Sequence, residues 1–151
     1  THSSDILRGF LEGTRGNVRI LRIQRDGDKN VVSEASNETI KSLWDKPELR
    51  YSNALEGIFH EQTIICEDDS DCRLINSIGD HLELSSNEQW LDTAYIPTGG
   101  KHGIPKIAKT LREIGVPVKA VFDIDFLSES SLVKTSVEVI VNYPKEILLK
   151  P

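Results

Sequence analysis

Polar and apolar positions along this chain follow two different periods, and the style changes near residue 60. Before that point the pattern is short and mixed. Ile6, Leu7, Phe10 and Leu11 fall on one helical stripe behind Ser3 and Ser4, either of which can cap a helix. This predicts a helix over 3–13, ended by Gly13 and Gly16. Val18, Ile20 and Arg22 alternate with Arg19, Leu21 and Ile23, which reads as a strand. Asp26-Gly27-Asp28 is a hairpin turn signal, and Val31-Val32 begins the return strand. Ser36-Asn37-Glu38 caps a helix through Ile40, Leu43 and Trp44 that Pro47 stops, and a further short helix is expected over 51–59.

From His60 onward the pattern becomes regular. A strand to Glu67 leads into a helix over about 69–82, with Leu74, Ile75 and Ile78 as its expected inner face. A polar loop at Ser85-Ser86-Asn87 precedes a strand over 93–96, which Pro97-Thr98-Gly99-Gly100 breaks. A helix over 104–114 turns Ile107, Ala108, Leu111 and Ile114 inward and Lys106, Lys109, Arg112 and Glu113 outward. Gly115 caps it, Pro117 prevents its continuation, and a strand runs on to Asp123. Strand, helix, strand, helix, strand with short connections is the alternation of a parallel α/β sheet. The expected architecture is thus a parallel sheet flanked by helices, preceded by a small β-hairpin and helical connector. Val139-Ile140-Val141 adds one more strand-like run.

Length and composition narrow the class. The 151 residues suffice for one domain, alone or with a fragment of another. No apolar stretch is long enough to span a bilayer, and there is no signal-peptide pattern. Cys66 and Cys72 are not spaced as zinc ligands and read as free thiols of a reducing compartment, which makes the cytoplasm the default. The formal net charge of −6 argues against a simple basic nucleic-acid-binding module. The acids crowd, however: Glu67, Asp68, Asp69 and Asp71 share one turn, with Asp123 and Asp125 expected nearby. The opening, without Met and directly on a helix start, and the close, where Pro144 and a basic apolar tail follow the last run, are those expected of a segment of a longer polypeptide with residues missing after Ile140 or Pro151.

Open α/β sheets place their functional crevice beyond the carboxyl ends of the strands, and both acidic motifs sit there. Several carboxylates on one edge repel unless a cation lies among them, so Glu67, Asp71, Asp123 and Asp125 point to a divalent-metal site of hard oxygen ligands. A plainer reading exists for each motif. Acids in a first helical turn favour the helix dipole, with Asp69 or Ser70 as cap, and Asp123-Ile124-Asp125 is also a polar strand end followed by a cap. In an extended chain the two aspartates would share a side. An EF-hand is excluded, because Ile78 stands where its closing Glu belongs. Pro97 to Gly103 permits close backbone approach of a phosphate at a helix start, or is a tight turn; it matches neither the P-loop nor the dinucleotide fingerprint. Lys101, Lys106, Lys109 and Arg112 either meet phosphates or form a solvated face. His2 reads as either catalytic or a capping-region residue, His60, His81 and His102 show no mutual ligand spacing, and Trp44 and Trp90 read as core or boundary residues.

Glu67, an Asp four residues on, and the later Asp123-x-Asp125 resemble the signature of the TOPRIM domain, the metal-binding module of topoisomerases, primases and several nucleases. The family usually carries Gly after the Glu; here Asp68 stands instead. More narrowly, Ile65-Cys66-Glu67 through Leu74, Ile96 to Lys101, and Phe122 to Leu127 are similar to the C-terminal region of the overcoming-lysogenisation-defect (OLD) family of ATP-dependent endonucleases, and Thr1-His2-Ser3 to the switch-histidine segment of their ABC-type ATPase domain. The resemblance implies a Rossmann-like TOPRIM domain over 58–151 behind an ATPase tail and connector over 1–57. It implies two Mg²⁺ or Mn²⁺ ions, with Glu67 and Asp71 on one and Asp123 and Asp125 on the other, or Glu67 as general base, and two-metal hydrolysis of DNA. Gly99, Gly100 and Lys101 would meet the phosphate. The implied partners are DNA, the ATPase domain of the same polypeptide (through which alone ATP would act) and further copies in a dimer or higher homo-oligomer, without membrane, in a setting of anti-phage defence. The downstream catalytic lysine and further metal ligands of the family find no clear counterpart after Ser130. Two other readings compete: a non-catalytic TOPRIM-like module regulating or assembling an ATPase, and a haloacid-dehalogenase-type phosphatase with Asp123 as nucleophile.

Overall fold

A computed structural model describes residues 3–46, 53–86 and 92–141. Helix α1, Ser4–Thr14, starts where the Ser3 side chain accepts the Ile6 amide, and ends at Arg15 in the left-handed region. The hairpin of β1, Leu21–Asp26, and β2, Lys29–Glu34, follows. The strand begins later than the alternation indicated: 18–20 lie outside it. Gly27, with φ 57°, takes the turn. Helix α2, Asn37–Asp45, is capped by Ser36, whose hydroxyl accepts the Thr39 amide at 3.1 Å. A 3-10 turn, Asn53–Phe59, leads into the sheet. Pro47, Tyr51, Asn87, Trp90 and the tail from Asn142, together with Thr1 and His2, lie outside the described residues.

The sheet is parallel, in the order β4-β3-β5, with β3 (Gln62–Cys66) between β4 (Thr93–Pro97) and β5 (Val118–Ala120). Every residue of β3 is buried, as a central strand covered on both faces requires. Its period-two alternation divides two cores. Ile65 joins Ile96, Ile107, Ala108, Leu111 and Ile114 with Leu7, Leu11, Ile40, Leu43 and Leu55 in the main core. Ile64 and Cys66 face the other way, toward Cys72, Ile75, Tyr95 and Val121. Helix α4, Ile104–Glu113, closes the first side and α3, Asp69–Ser86, the second. Burying each Leu or Ile side chain contributes about 1.5–3 kcal/mol. The expected inward stripe of α4 is buried throughout; of its outward set, Lys106, Lys109 and Glu113 are exposed, while Arg112 is half-buried and donates to the Ile140 carbonyl. Helix α5, Ser130–Ile140, packs beside it.

Four expectations are corrected. Leu74 and Ile78 do not form the inner face of α3; they are 61% and 46% exposed, and Cys72, Ile75 and Gly79 turn inward instead. Ile6 and Phe10 likewise lie outside the stripe formed by Leu7 and Leu11. The run at 139–141 is the end of helix α5 and not a strand, and Ser85 and Ser86 extend α3 instead of forming a loop. Apolar β-branched runs fit either structure when length does not arbitrate.

The hairpin is fastened to the sheet domain by Arg22. Its buried guanidinium donates to the carbonyls of Ile58 (3.1 Å), His60 (2.6 Å) and Gly115 (2.8 Å) and to the Gln24 side chain. Burial lowers its pKa from the ordinary arginine value. Gly115, at φ 85°, lies against Ser33 of the hairpin, where no side chain fits.

Candidate metal and phosphate site

Strand register brings the acidic motifs together. Ile65 pairs with Ile96 on one side and Ala120 on the other, so the chain beyond each strand emerges at one edge. The Val121 amide still donates to the Ile65 carbonyl at 2.9 Å, although β5 ends at Ala120, short of Asp123. At the next step the ladder changes. The Asp123 amide donates to the Glu67 carboxylate, Oε1, at 2.9 Å, while the Glu67 carbonyl accepts the Gly100 amide at 2.9 Å. Glu67 thus links both flanking segments to the end of the central strand.

Asp71 stands in the first turn of α3 and its Oδ2 accepts the Asp68 amide at 3.3 Å. The cap of that helix is Asp68, where Asp69 or Ser70 was expected. Its Oδ1 accepts the amides of Ser70 (2.7 Å) and Asp71 (3.1 Å), and these bonds, the Asp71 amide foremost, lower its pKa from the ordinary aspartate value. Asp69 instead pairs with Arg73 at 2.7 Å.

Asp123 and Asp125 do not lie on one side of an extended chain. Ile124–Ser128 winds into a 3-10 turn, with Phe126 stacked on Phe122 at 3.9 Å between ring centroids. Asp125 therefore meets Lys101, whose Nζ is 2.7 Å from Asp125 Oδ2 and 2.8 Å from Glu129 Oε1. These two carboxylates, Asp125 first, raise the Lys101 pKa from its ordinary value. The positive-φ glycines Gly99 (72°) and Gly100 (131°) shape the turn before Lys101, and the Thr98 hydroxyl reaches the carbonyls of Cys66 (3.1 Å) and Gly100 (2.8 Å). Glu129 escaped the sequence reading; its one signal was its place four residues after Asp125. His60 bonds Asp92 at 2.8 Å, away from this edge.

Among the described residues no three His, Cys, Asp or Glu side chains are grouped at metal-ligand spacing. The donors nevertheless fit a hard divalent cation in kind: all are carboxylates, the Asp123 amide holds the Glu67 carboxylate, and one carboxylate already holds a cation, the Lys101 ammonium. Behind the acids, Cys66 and Cys72 are buried free thiols. Burial first, and then the Cys72 contact, pushes Cys66 up to about 12; burial also raises Cys72. Both thiols are expected to resist iodoacetamide at about pH 8 in the native protein and to react on addition of denaturant, because the thiolate is the nucleophile. Mass spectrometry of the alkylated chain checks this.

Residues 58–125 match the family model described as overcoming lysogenization defect protein-like, TOPRIM domain. This segment is an OLD-like TOPRIM domain. The match spans Glu67, Asp71, Gly99, Gly100, Lys101, Asp123 and Asp125. No curated protein and no solved structure matches the chain. TOPRIM domains are metal-binding modules of nuclease and primase type acting on nucleic acid, which sets the chemical class of this OLD-like domain. Among the described residues no helix is long and apolar enough to cross a membrane.

Proposed function

We propose that the chain is the catalytic segment of a Mg²⁺- or Mn²⁺-dependent DNA endonuclease of the OLD type, acting in the cytoplasm. The observation that carries the reading is the Asp123 amide on the Glu67 carboxylate, which joins the two acidic motifs within an OLD-like TOPRIM domain. Glu67 and Asp71 would hold one ion and Asp123 and Asp125 a second. Bound there, the ions would supply Lewis-acid charge at the phosphodiester and ease loss of a proton from the water whose oxygen attacks it. The protein's own groups orient and neutralise. Gly99 and Gly100 let backbone approach the phosphate, and Lys101 offsets its charge. Residues 1–57 would be the tail of an ATPase domain with its connector, through which ATP acts, and the functional unit a homo-oligomer in defence against foreign DNA.

The test is nicking of supercoiled plasmid by the 151-residue chain with Mn²⁺. Relaxed circles that disappear on chelation support the reading. Mn²⁺ binding without any nicking, by the chain alone or rejoined to an ATPase domain, favours the regulatory module instead.

A further inference from the structure

We propose that Lys101 is the resident counter-ion of Asp125, and that Glu129 is a positioning residue which takes over the lysine when a divalent cation claims Asp125. The inference rests on the metal reading above and adds how that site is kept ready. Lys101 follows the two-glycine turn that the Gly100 amide fastens to Glu67. Its side chain is only 16% exposed, whereas Asp125 is 63% exposed, so the lysine is the fixed member of the pair and the aspartate the movable one. The ammonium carries three donors and no acceptor. Two carboxylates bracket it, at 2.7 and 2.8 Å, and Glu129 is itself flanked on its other oxygen by His102 Nε2 at 3.5 Å.

In this arrangement the Asp125 oxygen that holds Lys101 competes for the same lone pairs as an incoming metal ion. A metal ion on Asp125 would also repel a neighbouring ammonium that had no other partner. Glu129 removes that conflict. It stands at the entrance to α5, already within bonding distance, so Lys101 changes its balance between two acceptors without leaving its place. Without metal, Lys101 offsets the mutual repulsion of the acids; with metal, it stays beside the site, held by Glu129.

The two residues should therefore shift metal affinity in opposite directions. Calorimetric titration of the whole chain with Mn²⁺ is expected to show Lys101→Met binding about fivefold tighter than wild type, and Glu129→Gln about fivefold weaker, because the lysine then stays on Asp125. The double variant should bind like Lys101→Met alone, and Glu129→Asp should recover most of the loss. Thermal melts without metal establish that each variant folds; Lys101→Gln replaces the Met variant if that one does not. A simple structural role would weaken binding in both single variants together, and that result overturns the proposal, as does an unchanged Glu129→Gln. If wild type binds no Mn²⁺, or binds it undiminished after loss of Asp123 and Asp125, the metal reading itself falls and takes this proposal with it. If binding depends on those aspartates and the single variants shift the same way, the counter-ion assignment falls alone.

Discussion

Asp123→Ala combined with Asp125→Ala is expected to remove metal-dependent plasmid nicking, by roughly a hundredfold or more, and to abolish Mn²⁺ binding at their site. The expectation rests on where the two side chains stand. Both residues are exposed at the sheet edge, and Asp123 is fastened through its backbone amide, not its carboxylate. That amide survives the substitution, so Glu67 keeps its bond. Neither residue contributes to the apolar cores. Circular dichroism and the melting temperature should thus change little while chemistry is lost. Undiminished nicking would remove the assignment; collapse of the fold would show that the carboxylates hold the edge together in a way their exposure does not suggest.

The second large effect concerns stability. Arg22→Met should cost roughly 3 kcal/mol, read from guanidinium chloride unfolding at fixed pH. The guanidinium satisfies three backbone carbonyls from two separate stretches of the sheet domain, together with a glutamine side chain. A Met of similar length fills the volume and leaves those acceptors without their donors. Arg22→Lys should rescue little, since one ammonium on a flexible stem does not span the same fork of acceptors. A loss below about 1 kcal/mol would mean that water replaces the guanidinium, as at an exposed surface pair.

The sheet domain was legible in sequence because its signals were redundant. Ile64, Ile65 and Ile96 form short apolar strands, the stripe Ile107, Ala108, Leu111 and Ile114 is unbroken, and Gly115 with Pro117 fixes its end. Helix α3 misled because Leu74, Ile75 and Ile78 share a stripe in projection, while the sheet accepts a narrower one centred on Cys72, Ile75 and Gly79. Small residues carry no hydrophobic signal yet permit close approach to a strand. At the edge, spacing alone placed Glu67 after β3 and Asp71 in the first turn of α3. Spacing could not give the partners of the acids, since the Asp123 amide and Lys101 reach Glu67 and Asp125 across 56 and 24 residues. The 3-10 turn after Asp123 also broke the period-two argument for that pair, because Phe126 folds back onto Phe122.

The residue that replaces the family's usual glycine has its own effect on anion traffic. Helix starts attract phosphate through bare amides. At α3 the Asp68 carboxylate occupies two of those amides, of Ser70 and Asp71, and adds a negative charge in front of them. Those amides are thus already answered by the protein's own carboxylate, and the start of α3 is no open anion cradle.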